Sequence, residues 1–135
     1  MHKIQCKDTF ENCEKKVTEV INKLGMTLFA IIDHSGNAER VGLSLGKTKL
    51  FLFGNPSVGT LLMQNNREIG YDLPLRVLLW EDGGNVYLSY KLPSEIAKDY
   101  GLESTEVVKK MDAVFKKVLE AASVQTRNSL STSSR

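Results

Sequence analysis

A single domain of mixed helices and strands is what this sequence predicts, and three observations predict it. Apolar residues recur at helical spacing in "DTFENCEKKVTEVINKLG" near the start and in "STEVVKKMDAVFKKVLEAA" near the end. Between them lie apolar runs rich in β-branched and aromatic residues, "MTLFAIIDH" and "KTKLFLF", which read as strands. "LRVLLWED" and "VYLSY" flank "GGN", an antiparallel hairpin whose Gly83 and Gly84 supply the positive φ a tight turn needs. A length of 135 residues, 41% of them hydrophobic and 25% charged, suits one domain, taken here as residues 1–122.

Taken in order, "KIQC" reads as a short first strand. The first helix places Phe10, Cys13, Val17, Val20, Ile21 and Leu24 on one face, with Asp8 or Thr9 as N-cap and Gly25 as its stop. "MTLFAIIDH" is so uniformly apolar that it reads as a strand buried on both faces or nearly so. "SGNAERVGL" makes one or two helical turns, and "KTKLFLF" then runs as a strand straight into Gly54. A helix is expected from about Ser57 to Arg67, broken near its start by Gly59. After the hairpin, "PSEIAKDYG" starts a short helix at Pro93 and ends it at Gly101. Ser104 is the expected N-cap of the last helix, and Val107, Val108, Met111, Val114, Phe115, Val118 and Ala122 form its apolar face. Residues 123–135, "SVQTRNSLSTSSR", are polar and aperiodic and read as a tail.

Eighteen Lys+Arg against sixteen Asp+Glu leave a formal charge of +2, and the basic residues are scattered among acidic ones. Nucleic acid is therefore not an expected partner, since phosphate binding needs a concentrated positive surface. No run approaches the roughly 18 apolar residues of a membrane span, and the N-terminus turns charged before any apolar stretch. No membrane partner and a cytoplasmic location are the expectations. Cys6 and Cys13 would be about 10 Å apart on one helix, too far to bond, and Cys6 is better placed on the strand before the helix. Without a CxxC or a histidine at metal spacing, the pair reads as reduced and partly buried.

The stretch "GNPSVGT" shares the Gly54-x4-Gly59 spacing of a phosphate-binding loop. Its decisive Lys is absent, and Pro56 removes one amide that would face the anion, so an NTPase is excluded. The favoured reading is that Asn55 and Pro56 cap and start a helix; the alternative is a carboxylate or phosphate held by that helix's free N–H groups. Asp33 and His34 are the one acid–imidazole adjacency at a strand end. Strand neighbours point to opposite faces, so Asp33 orients His34 only if the strand has already ended. Structural zinc is excluded for want of ligands, and a His34–Met63 pair on haem or copper is the weakest rival. Asp72, before Leu73 and Pro74, either bonds the amides of its own turn or joins Asn55 and His34 in a polar cluster walled by Trp80 and Tyr90.

The segments "DHSGNAERVGL", "LFLFGNPSVGTLLM", "YDLPLRVLLWED" and "VYLSYKLP", in this order and spacing, resemble the bacterial and archaeal family known as domain of unknown function 302. The resemblance runs from about Cys6 to Ala122. It implies a compact α+β domain, with helices packed on one side of a curved, largely antiparallel sheet, often as a homodimer. It supplies no activity. Asp33, His34, Gly54, Asn55, Pro56, Gly59, Thr60, Met63, Asp72, Leu73, Pro74 and Trp80 fall on the family's motif positions.

The leading expectation is a domain that binds a small molecule in a polar pocket at strand ends, built from His34, Asn55, Thr60 and Asp72. One rival is an enzyme with His34 as general base, oriented by Asp33 or Asp72. The other is a dimerisation module in which "GNP" and "DLPL" merely fix turns. No cofactor or metal is expected.

Overall fold

A computed structural model describes residues 1–123, so the predicted tail lies outside the described residues apart from Ser123. The strands are β1 (His2–Cys6), β2 (Thr27–Asp33), β3 (Thr48–Gly54), β4 (Leu75–Asp82) and β5 (Asn85–Tyr90). The helices are α1 (Phe10–Lys23), α2 (His34–Arg40), α3 (Pro56–Asn65), α4 (Pro93–Lys98) and α5 (Glu106–Ser123), with a 3-10 turn at Arg67–Tyr71. All neighbouring strands are antiparallel, in the order β1-β5-β4-β3-β2, and the sheet is open. This is the expected α+β architecture.

Alternation along the strands decides which side the helices cover. Phe51, Phe53, Val77, Leu79 and Leu88 point to one face, where they meet Phe10, Val17 and Ile21 of α1 and Phe115 and Val118 of α5. Leu50, Leu52 and Leu78 point to the other face and are half-buried. A second, smaller core of Leu62, Ile69, Ala97, Leu102 and Val108 ties α3, the 3-10 turn and α4 to the start of α5. Gly83 and Gly84, at φ 58° and 82°, form the two-residue turn between Asp82 and Asn85, as the "GGN" signal predicts.

Four expectations need correction. β2 is an edge strand with five of its seven residues exposed, because nothing among the described residues pairs with its outer side. Its apolar run therefore does not mean two covered faces. Cys6 and Cys13 are joined by a disulfide, not reduced: with Cys6 ending β1 and Cys13 one turn into α1, the strand-to-helix turn brings their Cα atoms to 6.3 Å. The Cys6 Sγ also lies 2.9 Å from the Ala122 carbonyl oxygen. A disulfide sulfur has no proton to donate, so this is a packing contact between the end of α5 and β1. Thr105, not Ser104, caps α5, accepting from the Val108 amide at 3.4 Å. Thr9 caps α1 and Asn55 caps α3, and α3 ends at Asn65, where Asn66 caps the 3-10 turn instead of the helix running on to Arg67.

Candidate functional site

The predicted site residues divide between the two ends of the sheet. Asp33 pairs with Lys49 at one end of β3, whereas Gly54 pairs with Thr27 at the other. Those two ends are about 17 Å apart along the strand. His34 therefore stands away from Asn55, Thr60 and Asp72, which gather where β3 ends and β4 begins. His34 is exposed and lines no cavity among the described residues. One oxygen of the Asp33 carboxylate is engaged elsewhere: Oδ1 caps α2, accepting from the Gly36 amide at 2.9 Å and the Ser35 hydroxyl at 2.8 Å. Those hydrogen bonds, the Gly36 amide first, lower its pKa. Among the described residues no carboxylate is hydrogen-bonded to the His34 ring.

"GNPSVGT" resolves as a helix start. Asn55 Oδ1 accepts from the Ser57 amide at 2.9 Å and from Val58 at 3.4 Å, and Pro56 occupies the first helical position. The amides that might have held an anion are satisfied by the chain itself. Thr60 turns its hydroxyl onto the Pro56 carbonyl at 2.8 Å.

Behind this helix start lies a cavity of about 280 Å³. One wall is Gly54, Asn55, Pro56, Gly59, Thr60 and Met63, from the end of β3 and α3; the other is Gly70, Leu73, Pro74 and Leu75, joined across a cis peptide between Leu73 and Pro74. Phe29, Phe53 and Met111 complete it. A further hollow of about 300 Å³ shares Asn55, Leu75 and Met111 and extends along Leu24, Met26 and Leu61. α3 thus sits between two apolar hollows, and Leu62 is its one fully buried residue. The predicted ligand residues Asn55 and Thr60 are at the rim, and the walls are apolar rather than the polar lining expected.

Asp72 faces away from this cavity. Its carboxylate accepts a hydrogen bond from the Tyr100 hydroxyl, and that bond, reinforced by burial, pushes the Tyr100 pKa up to about 12. Asp72 lines a separate cavity of about 350 Å³ on the other side of the Asp72–Pro74 segment, together with Tyr90. Sequence reasoning missed Phe29, Gly70 and Met111 in the first cavity. From the sequence Phe29 reads as part of a buried strand and Met111 as part of a helix face, and neither carries a signal of its own. Among the described residues no group of three or more His, Cys, Asp or Glu is placed to hold a metal.

Comparison with known proteins supplies a family. The model of the family described as "Domain of unknown function DUF302" matches residues 2–118. Over 100 residues the chain is 43% identical to proteins named fluoride-specific ion channel FluC 1 in Brucella suis biovar 1 and in Brucella abortus biovar 1. The match covers 72% of this chain but 39% and 37% of those relatives, so the chain spans under two fifths of their length. A solved structure of an uncharacterized conserved DUF302 protein from Bacillus stearothermophilus is similar with a TM-score of 0.71 at 16% identity, covering 90% of this chain and 93% of that one. At that identity the likeness shows the fold alone.

Proposed function

From the premise that this chain belongs to the DUF302 family, we propose that it is a binding domain that takes a small, mainly apolar molecule in the cavity under α3. One observation carries this reading. Segments 54–63 and 70–75, which hold the family-like motifs, converge on one cavity, and a glycine is kept inside a helix where it faces that space. A Cβ at Gly59 would meet only Leu73 Cδ1, at 3.8 Å, so packing does not demand glycine there. Keeping the space open at a cost in helix stability is what a binding site requires. The Asn55 and Thr60 rim supplies the few polar groups such pockets use for orientation.

The test uses methionine methyl NMR with indole as a probe. Met63 and Met111 line the cavity and report its filling, while Met1 does not line it. Saturable shifts at Met63 and Met111 that vanish in Gly59→Leu support the reading. Shifts unaltered by Gly59→Leu reject it.

The channel name of the longer relatives is not carried to this domain. No helix among the described residues is long and apolar enough to cross a membrane, so ion conduction would belong to the part of those proteins this chain does not match. A homodimer is part of the same proposal. β2 presents an unpaired backbone edge whose Thr27–Ile32 stretch is uncharged. Antiparallel self-pairing centred on Ala30 would set Phe29 opposite Ile31 and keep Asp33 opposite Thr27, with no like charges facing. A lysine at Ile31 should convert the dimer to monomer in light scattering; a monomeric parent protein removes this part of the proposal. The disulfide favours an oxidising compartment over the cytoplasm first expected.

A further inference from the structure

The second cavity, about 350 Å³, shares no residue with the first. Its floor is apolar, from Leu50 and Leu78 on the face opposite α1 and α5, and from Ile96 of α4. Around that floor stand charges of both signs that do not neutralise one another. Arg76 and Lys91 have no carboxylate within ion-pair distance among the described residues, although Asp72 and Asp99 line the same cavity. Glu95 is engaged through one oxygen: its Oε1 accepts from the Leu92 amide at 2.7 Å and pairs with His2 at 2.8 Å, and Oε2 has no hydrogen-bond partner among the described residues. Asp72 gives one oxygen to Tyr100 and keeps the other, and Asp99 has no side-chain partner among the described residues. The Ser89 hydroxyl accepts from Trp80 Nε1 at 2.9 Å, which leaves its own proton to donate.

We infer that this cavity binds a zwitterionic amino acid with an apolar side chain, its carboxylate toward Arg76 and Ser89 and its ammonium toward Asp72 and Asp99. The sign balance selects that class. A simple anion in the cavity would face three carboxylates with free oxygens, those of Asp72, Glu95 and Asp99, and a simple amine would face Arg76 and Lys91. A molecule carrying both charged groups on one carbon satisfies each set at once, and its side chain covers Leu50, Leu78 and Ile96. The planar guanidinium fork of Arg76 matches a carboxylate bidentately.

Isothermal titration of the full chain with a panel of apolar L-amino acids tests the inference, with leucine, isoleucine, valine, methionine and phenylalanine as probes. At least one should bind saturably at millimolar concentration. Its deaminated acid and its decarboxylated amine should each bind at least about tenfold more weakly, as expected when one charge-assisted pair is lost. Arg76→Gln and Asp99→Asn, both at exposed positions, should weaken binding by a similar factor while leaving the melting curve in place. No saturable binding by any member of the panel overturns the inference. So does equal binding of the acid or amine analogue, or unchanged binding to Arg76→Gln. The indole response of the first cavity is read separately, so failure here does not touch that proposal.

Discussion

Gly59→Ala is the sharpest perturbation available, because stability and binding should move in opposite directions. Gly59 is the fourth residue of α3, its amide donates to the Asn55 carbonyl at 3.0 Å, and its φ is not in the left-handed region. Alanine at an interior helix position is worth about 0.5–1 kcal/mol over glycine through reduced backbone freedom in the unfolded chain. The new methyl would lie 3.8 Å from Leu73 Cδ1, an ordinary contact, and adds a few tenths of a kcal/mol by partial burial. The sum, about 1 kcal/mol, corresponds to a rise of about 3–5 °C in Tm for a domain of this size. Calorimetry checks the first half, and the Met63 and Met111 methyl response to indole checks the second, which should weaken as the methyl enters the cavity. A fall in Tm would refute the packing argument, since α3 would then have no room beside Leu73. A rise in Tm with indole binding unchanged would refute the link between this glycine and the site.

Other outcomes follow from the same geometry. Reducing the Cys6–Cys13 bond releases a loop whose ends are seven residues apart, and the chain-entropy relation gives a loss of about 2–3 kcal/mol; a denaturation midpoint indifferent to reductant contradicts it. Asn55→Ala removes the α3 cap at a cost of about 1 kcal/mol, while Asn55→Asp keeps an acceptor for the Ser57 and Val58 amides and should melt close to the parent protein. One tyrosine should ionise near pH 12 in an absorbance titration, and that phenolate should be missing in Tyr100→Phe. Because the folded-state value is raised, the Tyr100–Asp72 contribution to stability is complete below the ordinary tyrosine range near 10. It is lost as pH climbs through about 12. Asp72→Asn should bring the titration back toward the ordinary range.

Much of the architecture was legible because local chemistry controls it. Two glycines impose the β4–β5 turn, and helical spacing marks α1 and α5 with Thr9 at the first boundary. What failed was long-range. The run "TLFAII" looks the same whether it is central or at an edge, and only the strand order made it an edge. The spacing of Cys6 and Cys13 says nothing until a strand-to-helix turn folds one sulfur over the other. The site expectation mixed two places for a topological reason: β2 and β3 are consecutive and antiparallel, so their C-terminal ends lie at opposite ends of the sheet. His34 follows one and Asn55 follows the other. Asn55 and Thr60 were legible as a helix start beside a cavity, while Phe29 and Met111 reach it from elements with no motif.

The strand order also dictates how the chain must be made. β1 leaves the ribosome before the other strands of this sheet, yet its partner is β5, and the residue opposite Cys6 is Val86, 80 positions later (86 − 6). At roughly 5–20 residues per second that is a wait of about 4–16 s. Throughout it the opening strand has no sheet to join, while β2, β3 and β4 can pair in sequence as each appears. A native contact available early to β1 is the disulfide to α1, seven residues on. Oxidation of that pair before β5 emerges would tie β1 to its helix ahead of its pairing with β5.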